Sequence, residues 1–465
     1  MAPPHFLLAV FPSRGAINPA LHLAERLTRL GGHVTFFTTV SAIRHMIDPV
    51  CLEAYTFTTF SDGYDDGIEL GDDVNHFIAE LKRQGSEALR GFIEYSSGQG
   101  LRFSCVLNTM IPWADYVARS LQIPSVLIWI QPATVFGVYH HYFNGYGDVI
   151  KNVTSQSCDT TSLIRLPGLP PLTNRDLPSF FNLKNQYAFG LPQMQSQFEQ
   201  LKEGGNPKVV LVNTFDALEL EVLRSISTLN LVGIGPLVSF RVLDVQDHNS
   251  SDKSSKDDLY RGSEDYVQWL NTKEEGSVIY VAFGSTSKFS KAQKREMARG
   301  LLETGRPFLW VMRKKDGDDD ELIYEEQLDK KGVIVPWCSQ ITVLSHPSVG
   351  CFFTHCGWNS TLESLVCGVP MVAFPQFTDQ MTNSKLVEDV WKVGVRLSEI
   401  DKEGIIVEGD EIKKCLELVM GGGERGDGIR RNANKWKDLA REASRDGGSS
   451  DKNLKAFVEE FTKVD

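Results

Sequence analysis

Short apolar runs without alternation recur along the chain, separated by stretches whose apolar residues have helical spacing. Residues 5–11, HFLLAVF, form the first run, as a strand covered on both faces of a parallel sheet requires. A glycine-containing loop follows. Asn18 and Pro19 then predict a helix start, with Asn as N-cap and Pro at the first helical position. ALHLAERLTRLGG keeps helical spacing and stops at Gly31 and Gly32. HVTFFTTV (33–40) reads as the next strand and completes a strand–helix–strand unit. SCVLNT (104–109) and SVLIWI (125–130) are strands flanking the helical WADYVARSLQ, and KVVLVNTF (208–215) is another strand.

After LVGIGPL (231–237) the pattern breaks. Residues 243–262 are polar, rich in Ser, Asp and Lys, and aperiodic, as in a mobile linker. A second series then begins: SVIYVAFGS (277–285), the helical KAQKREMARGLLETG, PFLWVMR, GVIVPW, CFFTH (351–355) and VPMVAFP (369–375). The acidic stretch 314–327 reads as solvated surface. Two doubly wound α/β halves joined by a linker leave a cleft, and ligands in such sheets bind beyond the carboxyl ends of the strands. The tail DKNLKAFVEEF (451–461) is an amphipathic helix with Leu454, Phe457 and Phe461 on one face, able to pack on either half.

Composition narrows the function classes. The 465 residues carry a net charge of −12, which argues against nucleic acid or an acidic membrane as partner. Eight cysteines are sparse for this length, and none falls in a Cys-x-x-Cys pair, so reduced thiols are expected rather than a disulfide lattice or zinc site. The apolar run at the N-terminus is too short for a signal core and lacks a basic flank. No stretch reaches about 18 uninterrupted apolar residues. The expectation is a cytoplasmic protein without a membrane span. DGYDDG (62–67) lacks the spacing of a calcium loop and reads as turn chemistry.

The densest chemistry lies between Trp337 and Gln380. CFFTHCGWNSTLESLVCG reads as strand, tight loop and helix. His355 ends the strand, Gly357 allows close backbone approach, and Asn359, Ser360 and Thr361 open the helix. A helix N-terminus presents unpaired N–H groups and partial positive charge, and so suits a phosphate. His355 can donate to a phosphate oxygen. Glu363, placed in the first turn, can accept two neighbouring hydroxyls such as those of a ribose. The same residues also suit a dipole-favouring acid and a hydrogen-bonded loop histidine, and on their own they leave both readings open.

The whole stretch closely resembles the signature box of plant family-1 UDP-sugar-dependent glycosyltransferases, matching at Trp337, Gln340, residues 355–360, Glu363, Pro370, Pro375, Asp379 and Gln380. FPSRGAINP, FSDGYDDG (60–67), VNTFDALE (212–219) and AFGS (282–285) extend the resemblance over essentially the whole chain. Enzymes that glucosylate anthocyanins and other flavonoids, or form glucose esters of carboxylic acids such as crocetin, look nearest. The resemblance implies a GT-B fold, two Rossmann-like domains facing across a cleft. Its expected parts are an acceptor domain (1–237), a linker (238–262), a UDP-sugar domain (263–445) and a C-terminal helix (446–465) returning to the first domain. It implies inverting transfer of glucose from UDP-glucose to a hydroxyl or carboxyl of a small plant metabolite, by a monomer without cofactor or metal; the cleft-facing segments hold no Asp-x-Asp motif. By position, Trp337 is expected to stack on uracil, with the Cys338 backbone on the base edge. Gln340 and Glu363 are expected at the ribose, and Ser285, His355, Gly357, Asn359 and Ser360 at the diphosphate. Trp358, Asp379 and Gln380 are expected at the hexose. Expected acceptor-side residues are Arg14, Ile17, Gln131, His140, His141 and Phe377.

One departure stands out. The family's general base is a histidine in the loop after the first strand; here that position is Ala16, and a methyl cannot take a proton. The aspartate that orients the histidine is matched by Thr109, while Asp115, six residues on, reads as a surface acid. Three states fit Ala16: a deliberately inactivated variant, an enzyme for acceptors that arrive already ionised, and a non-catalytic UDP-sugar-binding protein.

Overall fold

The computed structural model describes residues 3–47, 55–68, 71–155, 162–181, 190–202, 208–239, 265–312, 328, 330–398 and 406–462. Most of the linker, the acidic stretch 314–327, Cys51 and Cys158 lie outside them. The remaining six cysteines are free thiols.

The apolar runs build two parallel sheets. The first holds β1 (His5–Val10), β2 (His33–Thr39), β3 (Thr56–Phe60), β4 (Cys105–Thr109), β5 (Ser125–Trp129), β6 (Lys208–Val212) and β7 (Leu229–Gly233), in the order β3-β2-β1-β4-β5-β6-β7. The second holds β8 (Val278–Ala282), β9 (Phe308–Val311), β10 (Gly332–Val335), β11 (Val349–Thr354), β12 (Met371–Ala373) and β13 (Gly394–Arg396), in the order β10-β9-β8-β11-β12-β13. The central strands are buried on both faces, which is why they read as continuous apolar runs. Chain order reverses between β1 and β4 in the first sheet and between β8 and β11 in the second. The loops leaving those strands therefore open at the two crevices where such folds bind ligands.

The first helix spans Arg14–Arg29, with Ser13 as N-cap. It starts before the expected Asn18–Pro19 boundary, and Pro19 lies inside it. Proline has no N–H, so the carbonyl four residues earlier, on Gly15, loses its helical donor. That carbonyl accepts instead from Asn359 Nδ2, 3.2 Å away in the other half of the chain. The helix ends as its sequence predicts: Gly31 adopts φ +83°, and Gly32 N–H donates to the Leu27 carbonyl. DGYDDG is a turn in which Asp62 accepts from the Tyr64 N–H.

The two halves share a packed seam. Phe215 and Leu218 join the core that underlies Trp358, Leu386 and Trp391. The Trp358 and Trp391 indoles donate to the carbonyls of Asn213 and Leu218, at 2.7 and 3.4 Å. The closing helix, Ser449–Thr462, lies on the first sheet: Leu454, Phe457 and Val458 pack with Phe6, whose ring stacks on Phe457 at 6.1 Å. Among the described residues no helix is long and apolar enough to cross a membrane.

Phe457→Ala removes most of a buried aromatic from this dock, and its expected cost is about 3–5 kcal/mol. Chemical denaturation of the full chain checks this; a loss below about 1 kcal/mol would mean that the helix is not integral to the first half's core.

Candidate active site

Four loops of the second sheet leave the carboxyl ends of their strands at one edge. Trp337 follows β10, Gly284 and Ser285 follow β8, His355 follows β11, and residues 374–380 follow β12. The strand order sets them in the sequence Trp337, Ser285, His355, Asp379. From β10 to β12 the edge spans four strand spacings, roughly 19 Å. An aromatic ring thus stands at one end, a glycine-lined loop in the middle and a carboxylate at the other end.

The middle is shaped by two glycines. A β-carbon on Gly284 would lie 2.6 Å from His355 Nε2, and one on Gly357 would lie 2.5 Å from the same atom. The imidazole fills the space that both missing side chains leave. Burial pushes its pKa down to about 4, so the ring is neutral at physiological pH and one ring nitrogen carries a hydrogen to donate. Cys356 takes φ +58°, a conformation that costs a non-glycine residue energy and is held by its surroundings. Here Cys356 N–H donates to Thr354 Oγ1, and its carbonyl accepts from Asn383 Nδ2 at 2.7 Å. The sharp turn delivers the chain into the helix Trp358–Cys367, whose N-cap is Gly357 and which has no side-chain cap.

Glu363 sits in the second turn of this helix rather than the first. Gln340 Nε2 donates to Glu363 Oε2 and to Ser360 Oγ, and the Tyr280 hydroxyl reaches Gln340 Oε1 at 3.5 Å. Burial raises the Glu363 pKa to about 7, against the opposing hydrogen bond from Gln340. Trp337 is half-buried at the mouth, and Cys338 behind it is buried. Burial pushes the Cys338 thiol up to about 11, so its side chain is inert.

At the β12 end both carboxylate oxygens of Asp379 are engaged, Oδ1 by the Thr378 hydroxyl at 2.8 Å and Oδ2 by Asn383 Nδ2 at 2.7 Å. Gln380 is buried, and its Oε1 accepts the N–H groups of Gln376 and Phe377.

The comparisons with known proteins bear on this geometry. Residues 195–409 match the family model described as UDP-glucoronosyl and UDP-glucosyl transferase. A phloretin 4'-O-glucosyltransferase of Malus domestica is 52% identical over 473 residues, covering 98% of this chain and 97% of the relative. The chain belongs to this transferase family. A crocetin glucosyltransferase, chloroplastic, of Gardenia jasminoides is also 52% identical, over 99% of this chain and 98% of the relative. The crystal structure of Os79 from O. sativa in complex with UDP superposes with a TM-score of 0.85 at 30% identity, covering 98% of this chain and all of that one. The transferase accordingly has the GT-B fold and is an enzyme that takes a UDP-sugar as co-substrate.

Several expected residues sit differently in the transferase than their positions suggested. The Trp358 side chain is 4% exposed and spends its N–H on Asn213, so only its backbone can meet a sugar. Ile17, expected at the acceptor, is 1% exposed and packs beneath the first helix with Leu23 and Leu27. It lies on the buried face of this helix, with Ala20, Leu23 and Leu27. Asp115 is not a surface acid: it is buried and pairs with Arg119 at 3.0 Å and Lys208 at 3.9 Å. His141 Nε2 is bonded to the Pro167 carbonyl at 2.9 Å, which removes that nitrogen from chemistry. His140 is half-buried against Phe136, and burial pushes its pKa down to about 4. Arg14 is half-buried and donates to the His45 carbonyl at 2.9 Å; Gln131 and Phe377 are half-buried beyond the ends of β5 and β12.

At the first crevice Ala16 is fully covered in the first turn of the first helix. Thr109, also buried, closes β4, and its hydroxyl oxygen accepts from Phe11 N–H at 3.3 Å. Thr109 therefore braces the loop ahead of the helix. Sequence reasoning missed Ser179, Asp176, Thr378 and Asn383. Their partners lie across the fold, as in Thr382 Oγ1 to the Asp176 carbonyl, and no local pattern marks them.

Gly357→Ala would drive a methyl into His355, with an expected cost of about 1–3 kcal/mol as for other overpacked sites. Gly91→Ala is the control, because its β-carbon meets nothing on the exposed face of helix Val74–Gly98 and should stabilise by roughly 0.5–1 kcal/mol. Denaturant midpoints read both. Equal and opposite to this expectation, a neutral Gly357→Ala would show that the imidazole is not confined.

Proposed function

We propose that this transferase moves glucose from UDP-glucose, with inversion, to an acidic oxygen of a small plant metabolite, a carboxylate in preference to a phenol. The observation that carries the proposal is the uncapped start of helix Trp358–Cys367 beside His355, with Trp337 and Asp379 at opposite ends of the same edge. In this reading the Trp337 ring stacks on uracil, with the Cys338 backbone on its edge, and Gln340 and Glu363 hold the ribose. Ser285, His355, Asn359, Ser360 and the helix N–H groups hold the diphosphate, while Asp379, Gln380 and the Trp358 backbone hold the hexose.

The acceptor oxygen attacks the anomeric carbon as UDP departs from the opposite face. The charge that builds on the departing diphosphate meets fixed N–H donors and the helix dipole, so no reorganisation is needed at that moment. Ala16 supplies no base. A carboxylic acid is ionised at neutral pH and needs none, whereas a phenol with pKa near 10 does. The relatives named for phloretin and crocetin represent a phenolic and a carboxylic acceptor. Arg14, Gln131 and Phe377 are the proposed acceptor-side residues. The same proposal divides the chain into an acceptor domain (1–237), a linker, a UDP-sugar domain (263–445) and a returning helix, acting as a monomer in the cytoplasm. Its rival, prompted by Ala16, is a UDP-sugar binder without catalysis.

Activity with matched phenolic and carboxylic acceptors decides between them. Ala16→His should raise phenol turnover by about 10²–10⁴-fold and leave carboxylate turnover nearly unchanged. UDP-glucose binding with no turnover of either acceptor, in either form, would favour the binder.

The Glu363 proton gives a second test. With a pKa near 7, the carboxylate that accepts ribose hydroxyls is mostly absent at pH 6 and mostly present at pH 8. UDP-glucose, whose diphosphate does not titrate in this window, should bind about tenfold tighter at pH 8 than at pH 6. Glu363→Gln should flatten the profile; a flat wild-type profile in calorimetry would contradict the ribose assignment.

A further inference from the structure

The carboxylate proposed for the hexose is held from both halves of the molecule. Asp379 follows Thr378, which takes φ +58°, a backbone conformation that surrounding bonds have to maintain in a β-branched residue. Those bonds come from Ser179 in the acceptor half. Ser179 N–H donates to the Thr378 carbonyl at 2.9 Å, and Thr378 N–H donates to Ser179 Oγ at 2.7 Å. So clamped, Thr378 turns its hydroxyl onto Asp379 Oδ1. The other carboxylate oxygen is held by Asn383, which is fully buried and also donates to the Cys356 carbonyl in the His355 turn. One asparagine thus fixes the distance between the carboxylate and the diphosphate loop.

The same acceptor-half segment, 173–181, is anchored beside this clamp. Thr382 Oγ1 donates to the Asp176 carbonyl at 2.6 Å. The Asp176 carboxylate, itself buried, pairs with Arg396 at 2.8 Å and accepts from the backbone and hydroxyl of Thr173. The clamp therefore does not rest on one flexible contact. Each Asp379 oxygen, engaged once, keeps a lone pair for a sugar hydroxyl, in a direction set by Thr378 and Asn383.

We propose that Ser179 and Asn383 are positioning residues for hexose recognition, both aiming the Asp379 carboxylate at the sugar; Ser179 does so through Thr378 alone, whereas Asn383 also braces the diphosphate loop. This rests on the donor-site reading above. A merely structural clamp would affect UDP and UDP-glucose together; a hexose-positioning clamp separates them, because UDP has no hexose to reach Asp379.

Calorimetry with UDP and with UDP-glucose on the full chain is the test, with thermal unfolding run beside it. Ser179→Ala keeps the backbone bond and removes the acceptor of Thr378 N–H. It should weaken UDP-glucose by about tenfold, the scale of a charged hydrogen bond lost, and leave UDP within about twofold. Ser179→Thr retains the hydroxyl and should restore the wild-type ratio. Asn383→Leu, of the same shape, should lose UDP-glucose more strongly than UDP. Parallel losses for both ligands in Ser179→Ala, or no loss for either, overturn the proposal even if Asn383→Leu fails to fold. A wild-type chain that takes up neither ligand overturns the donor-site reading itself, and that failure is told apart because it appears before any substitution.

Discussion

The opening N–H groups of helix Trp358–Cys367 have no side-chain cap, and a helix end without partners is unfavourable unless water or a ligand supplies them. Much of the second half serves to place that end. β11 aims the chain at the crevice, Cys356 turns it at a positive φ, and Gly284 and Gly357 surrender their side-chain space to His355. The imidazole is kept neutral by burial, so it offers a hydrogen without a fixed charge. An anion is the ligand that such a set of donors suits best.

The second constraint is that the cleft's two walls are not independent. Pro19 strips the Gly15 carbonyl of its helical partner, and Asn359, one residue into helix Trp358–Cys367, takes its place. Trp358 next to it is tied to Asn213. Adjacent residues of one helix therefore grip the first half at two points, one beside Ala16 and one at the exit of β6. The residue that stands where a base would act and the helix that would hold the leaving group are coupled through a single backbone carbonyl.

Much of this was legible in the chain. The central strands are buried on both faces and announce themselves as unbroken apolar runs; β1, β4 and β8 fall within the stretches expected for them, and β11 starts at Val349, two residues before its expected start. The edge strand β10 was legible as GVIVPW, but the edge strands β3 and β13 were not: β3 is threonine-rich and half-exposed, and β13 has three residues. The Asn18–Pro19 signal misled because proline at a helix start and proline inside a helix with a substitute donor look identical locally; only Asn359, 344 residues away in sequence, resolves them. The resemblance assigned expected roles by position, but not which atoms are covered in the fold. Trp358 and Ile17 show the difference, since burial is decided by neighbours from the other half and by helix phase. The clamp of Ser179 on Thr378 spans 199 positions, and nothing in either residue's surroundings advertises it.

The central claim is that this chain holds a pyrophosphate at the start of one short helix, with an indole covering the base. A crystal structure of the chain with UDP tests it directly. The account predicts the β-phosphate within hydrogen-bonding distance of the N–H groups that follow Gly357 and of the His355 ring, and uracil lying parallel to Trp337. UDP bound elsewhere in the cleft, or a uracil away from that indole, would contradict it.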